Sequence, residues 1–137
     1  MRVILELTIP GIPVAKGRVR VTRKGVAYTP KKTATTESYI RLMASRAYQE
    51  PAPSTKPITI YILGFFPPEK NLSKAKAWDK VKNLLPVTKR PDLDNIAKLI
   101  MDSLNKIVWE DDSQVYSMIL SKRYNSEGYT RVIVAED

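Results

Sequence analysis

The sequence contains no histidine and no cysteine. Without histidine there is no imidazole general base, no histidine-ligated metal nuclease site and no serine–histidine relay. Without cysteine there is no disulfide framework and no thiolate metal site, which fits a reducing cytoplasm. Long apolar runs are also missing, and nothing approaches the roughly 20 residues that span a bilayer. The opening Met1-Arg2-Val3-Ile4-Leu5-Glu6-Leu7 breaks its apolar stretch with an acid and has no cleavage-site pattern, so a secretory leader is not expected. No repeat or low-complexity tract is visible. The expectation is a soluble cytoplasmic protein without membrane association.

Acids are scarce in one region: none occurs from Leu7 to Thr36, while Lys16, Arg18, Arg20, Arg23, Lys24, Lys31 and Lys32 accumulate there. Over the whole chain of 137 residues the formal charge is +9. That length suits one domain, residues 1–137, and that charge calls for a polyanionic partner, most simply nucleic acid. Alternation around Lys24-Gly25 predicts a hairpin from Arg18–Thr22 and Val26–Tyr28. It reads as an arm that tracks phosphates, with Lys16, Arg18, Arg20, Arg23 and Lys24 as its contacts; the plainer alternative is a solvated basic hairpin.

Elsewhere the pattern gives a first strand over Arg2–Ile9, with Val3, Leu5, Leu7 and Ile9 on its inner face. A helix is expected over Thr33–Gln49, in which Tyr39 and Tyr48 read as packing residues. Ile58–Phe66, β-branched and aromatic, reads as a central strand covered on both sides. Asn71–Leu85 reads as a lysine-rich helix capped by Ser73, either solvated or lying over DNA. Two late strands, Gln114–Tyr124 and Gly128–Ala135, are expected to pair antiparallel around Asn125–Gly128. This order argues for an α+β fold with a mixed sheet and helices packed mainly on one face.

The chain is organised around Lys89-Arg90-Pro91-Asp92-Leu93-Asp94-Asn95-Ile96-Ala97-Lys98, followed by Trp109-Glu110-Asp111-Asp112. Pro91-Asp92 marks a helix start, with the aspartate as cap. Leu93, Ile96, Ala97, Ile100, Leu104 and Ile107 form its apolar stripe, and Asp94, Lys98 and Asp102 follow at four-residue steps on another face. An amphipathic helix with an exposed ion-pair ladder would explain this much, at about 0.2–0.5 kcal/mol per pair. Two aspartates crowded into a first turn, and a second acidic knot after the helix, suggest instead a hard divalent cation such as Mg²⁺.

Arg90-Pro91-Asp92-Leu93-Asp94-Asn95, then Lys98, Asp102 and Leu104, then Trp109-Glu110-Asp111-Asp112, resemble the RusA family of Holliday-junction resolvases. Ile9-Pro10-Gly11-Ile12-Pro13 and Tyr28-Thr29-Pro30 also resemble members of that family. The resemblance implies a RusA-like fold and an active site of Asp92, Asp94, Lys98 and Asp112. The three aspartates would hold Mg²⁺, with Mn²⁺ able to substitute, and Lys98 would steady the developing charge. Asp111 would support those ligands from behind or serve as an alternative ligand, and Lys89 and Arg90 would contact neighbouring phosphates. Four-way junction DNA as substrate, nicked during recombination and repair, and a homodimer that delivers paired nicks are likewise implied by the resemblance.

A helix from Leu93 to Asn105 is about 18–20 Å long, and seven extended residues from Asn105 to Asp112 span at most about 25 Å. On that geometry Asp112 returns to Asp92 and Asp94 only along a nearly straight chain. The expectation is therefore that Asp112 joins the two aspartates of a second subunit. Two other readings stay open: a non-catalytic nucleic-acid-binding protein, and a nuclease for flaps or forks.

Overall fold

The computed structural model describes residues 1–17, 20–28 and 31–137. Arg18 therefore lies outside the described residues. Alternating β1 (Arg2–Pro10) buries Leu5, Leu7 and Ile9. Val3 is exposed instead of buried, because a register shift between Val3 and Leu5 moves it off the inner face. Among the described residues the basic hairpin pairs β2 (Arg20–Val21) with β3 (Ala27–Tyr28). Its turn closes through Thr22 and Val26, with Gly25 at φ +79°, a conformation that favours glycine.

Helix α1 (Lys31–Ala47) turns Thr33, Ile40 and Ala44 inward. Tyr48 packs against the core as expected, whereas Tyr39 is half exposed. Strand β4 (Ile58–Phe66) then enters the centre of the sheet, α2 (Lys74–Lys82) follows with Ser73 as its cap, and α3 (Leu93–Leu104) crosses back. Strands β5 (Val115–Tyr124) and β6 (Tyr129–Glu136) complete a mixed sheet in the order β1-β6-β4-β5.

The late strands do not pair with each other. β4 lies between them, parallel to β5 and antiparallel to β6. A parallel neighbour needs a long crossover, and α2 and α3 supply it between β4 and β5. The most apolar strand thereby gains partners on both edges, and less apolar β5 takes the sheet edge. The 125–128 turn passes over the end of β4, where Asn125 N donates to Phe66 O at 2.9 Å. A Cβ at Gly128 would meet the Ile12 backbone at 3.0 Å, so this close passage favours glycine.

Helices α1 and α3 pack on each other, with α1 also against β1 and α3 against β5. Ile96, Leu99, Ile100 and Leu104 of α3 join Ile40, Ile60, Ile62, Val132 and Val134 in one core. Each such side chain contributes about 1.5–3 kcal/mol by leaving water. At the end of α3, Arg41 Nη1 lies 3.2–3.3 Å from the Asp102, Ser103 and Asn105 carbonyl oxygens, where a cation complements the helix dipole. Lys106, at φ 71°, reverses the chain at once, and Trp109 drops fully buried into the core. The segment after α3 is therefore a tight turn and not a straight return.

Candidate active site

The loop before α3 is fastened from the sheet. Lys122 Nζ donates to Lys89 O at 2.7 Å and to Pro91 O at 2.9 Å. Asp92 occupies the N-cap position, but its carboxylate makes no capping hydrogen bond. Its backbone carbonyl takes the first helical bonds, from Asn95 N and Ile96 N. The exposed side chain is thus left available, and Asp94 projects from the first turn, where the helix dipole favours a carboxylate.

Asp94, Lys98, Asp102 and Asp112 line one concavity of about 330 Å³, with Ala97, Met101, Met118 and Leu120 as its apolar lining. A single chain therefore places Asp94 and Asp112 on one concavity, where the straight-chain estimate assigns them to two subunits. The turn at Lys106 shortens the path, so that Asp112 lines the same concavity as Asp94, Lys98 and Asp102 of α3. Asp92 opens on a neighbouring depression with Ala15, Arg90, Pro91 and Asn95. Among the described residues no three carboxylates gather closely enough to cage a metal unaided.

Asp112 begins a short 3-10 turn, and its Oδ1 accepts a 2.9 Å hydrogen bond from Trp109 Nε1. The indole is buried, so the aspartate is aimed from the core. Neighbouring Asp111 is committed otherwise. Its Oδ2 accepts from Ser113 N at 2.9 Å while its own N–H donates to Gln114 Oε1 at 2.8 Å, a closed capping box. Hydrogen bonding from Ser113 holds the Asp111 carboxyl below its ordinary value. Of the acidic pair, Asp112 alone lines the concavity.

Lys98 Nζ is mostly exposed and lies 3.8 Å from Asp102 Oδ2. Lys16, read from the sequence as a phosphate contact, instead has its ammonium between Glu37 and Asp102, the latter at 3.1 Å. Burial pulls its pKa down, but the two carboxylates outweigh this and the net shift is upward. Lys89 pairs with Glu69 at 3.1 Å, Arg90 is exposed beside Asp92, and Arg23 and Lys24 stand exposed on the hairpin turn. Arg20 belongs to β2.

Three contributors went unassigned in the sequence: Trp109, Lys122 and Lys16 as an ion-pair hub. A tryptophan three residues before an aspartate was the one available signal. The other two join segments far apart in the chain.

A carboxylate-lined concavity with one lysine, on a strongly basic chain, has the composition of an enzyme acting on phosphodiesters. The family model of Endodeoxyribonuclease RusA matches residues 10–135. The chain belongs to the RusA family, which implies an endonuclease acting on DNA. It is also 34% identical over 137 residues to "Uncharacterized protein YqaN" of Bacillus subtilis (strain 168), with 96% of each chain covered. No helix among the described residues is long and apolar enough to cross a membrane.

Proposed function

We propose that this protein is a Mg²⁺-dependent endodeoxyribonuclease that nicks four-way junctions in recombination and repair. The observation that carries the reading is the shared concavity of Asp94, Lys98 and Asp112 in a chain of the RusA family. The donors fit a hard cation in kind, being carboxylate oxygens. Mg²⁺ ordinarily takes only one or two carboxylates and completes its shell with water and substrate phosphate, so the Asp94–Asp112 pair suffices and Asp92 stands beside it. Asp94 and Asp112 would hold the ion, which would supply Lewis-acid neutralisation of the scissile phosphate and lower the pKa of water.

The chain's own residues do the rest. Trp109 orients Asp112, and the apolar lining strengthens electrostatic interactions at the carboxylates. Lys98, one turn from Asp94, steadies negative charge developing on the phosphate. Arg90, with Arg18, Arg20, Arg23 and Lys24 of the arm, holds neighbouring phosphates. In this reading the protein works as a homodimer, since a four-way junction offers equivalent strands to a two-fold enzyme. Exposed Tyr116, Met118 and Ile119 on edge strand β5, next to the site, support self-association.

The test is a synthetic mobile four-way junction incubated with the protein in Mg²⁺ and in EDTA, with a linear duplex as control. Paired nicks in Mg²⁺ alone are expected. Tight junction binding with no cleavage in any divalent cation would instead identify a non-catalytic DNA-binding protein.

A further inference from the structure

Helix α2 buries none of its residues, and Trp78 at its middle is 65% exposed. An indole carries a large apolar face that water solvates poorly, so this exposure calls for an occupant. Its partly buried side carries Ala77, Lys80 and Val81. Lys80 pairs with Glu69 at 3.0 Å and lies 4.5 Å over the Tyr124 ring, while Ser73 caps the first turn. Tyr124, Lys80 and Lys89 together hold the Glu69 carboxyl well below the usual range.

The outward side is different. Residues four apart stand above one another on a helix, so Lys74, Trp78 and Lys82 form a single line about 12 Å long. Asp79, the one acid in α2, is engaged by Asn83 Nδ2 at 2.8 Å. Among the described residues neither Lys74 nor Lys82 forms an ion pair; Lys80 is the lysine of α2 that does. A cation, an aromatic face and a cation in line match a nucleic-acid strand, whose base stacks on the ring while flanking phosphates meet the ammonium groups. The self-association proposed above uses the exposed side chains of β5, whereas α2, with four lysines and one aspartate, suits a polyanion and not the same lysine-rich face of a second copy. Paired bases in duplex DNA are already stacked and cannot reach the ring.

We infer that Trp78 is a stacking platform for an unpaired base of a DNA strand laid along α2, with Lys74 and Lys82 on its phosphates. The choice of DNA rests on the proposed function; the stacking does not. Glu69 links this platform to the active-site loop, since the same carboxylate that pairs with Lys80 pairs with Lys89 at 3.1 Å. A base held there would set the position of an open branch point relative to Asp92 and Asp94.

The experiment uses the full chain, oligothymidylate as probe, and tryptophan emission. Trp109, buried in the core, is the other tryptophan, and its emission reports intact folding in each variant. Oligothymidylate should quench the wild-type protein and leave W78F, which retains only Trp109, unchanged. W78A should bind oligothymidylate about 5- to 150-fold more weakly, and blunt duplex within about twofold of wild type. Unmoved Trp78 emission at saturating oligonucleotide, or equal loss on duplex, would overturn the inference. So would a Trp78 shift driven by protein concentration alone, which would make a second copy the occupant. Junction cleavage without quenching refutes the platform and leaves the nuclease standing. Quenching without cleavage does the reverse.

Discussion

Replacing Trp109 by phenylalanine separates two roles that the structure gives to one side chain. The ring is fully buried, and its Nε1 donates to Asp112 Oδ1 at 2.9 Å. Phenylalanine keeps most of the packing but leaves a small void and removes the donor. A hydrogen bond to a charged group contributes about 1.5–3 kcal/mol, less here because Asp112 is partly exposed; with the void, W109F should lose about 2–3 kcal/mol in urea unfolding. Freed from its donor, Asp112 no longer has one fixed orientation. Loss of such a supporting partner typically weakens metal binding about 10–100-fold, and the Mg²⁺ concentration for half-maximal junction cleavage should rise by that factor. Isothermal titration of Mg²⁺ into the protein–junction complex would read the same change without turnover. D112N is the complement. Its amide oxygen still accepts from Trp109, so stability should stay within about 1 kcal/mol while cleavage disappears. An unchanged Mg²⁺ dependence in W109F, or D112N as unstable as W109F, would refute the reasoning.

Four further outcomes follow from the placement of charged groups. Mixing D94N with D112N should restore no cleavage, because one chain supplies both aspartates to one concavity; recovered nicking after subunit exchange would show a site built across two chains. K16M should cost about 1–3 kcal/mol in unfolding, by leaving Glu37 and Asp102 without their shared cation, and should not alter the salt dependence of DNA binding. R23A and K24A should each lower that log–log slope by roughly 0.9 if their phosphate contacts form on B-DNA. Glu136 is buried, and hydrogen bonds from Ser54 and then Arg2 hold its pKa below 4.5. A depressed carboxyl contributes its full stability above that value and loses it as pH falls through the folded pKa. E136Q should therefore flatten the acid limb of stability below about pH 4.5.

Elements whose signal is local were legible in the sequence. The alternation of β1, the stripe of α3, the Ser73 cap and the apolar run of β4 each lie within a few consecutive residues, and each appears where its pattern places it. What was not legible depends on partners distant in the chain. Two late strands joined by four residues look like a hairpin, and nothing within them announces that β4 takes the place between. The bulge that turns Val3 outward is invisible to alternation, because a bulge adds a residue without changing residue type. The site divides along the same line. Two aspartates and a lysine at fixed helical spacing were readable, and the family resemblance joined Asp112 to them. The length estimate then sent Asp112 to another subunit, because a left-handed Lys106 is not a position that residue type predicts. Lys16 looked like part of a basic arm until Glu37, twenty-one residues on, and Asp102 came beside it.

In the proposed function, Asp94 and Asp112 of one chain form the cutting site while the basic surface binds DNA separately. Single-turnover cleavage of an end-labelled four-way junction, measured beside junction binding for wild type, D94N and D112N, tests it most directly. Nicking is expected from wild type in Mg²⁺ and from neither variant, with junction affinities within several-fold of one another, since the proposed binding rests on cations outside the concavity. Cleavage by D94N or D112N at the wild-type rate would contradict it.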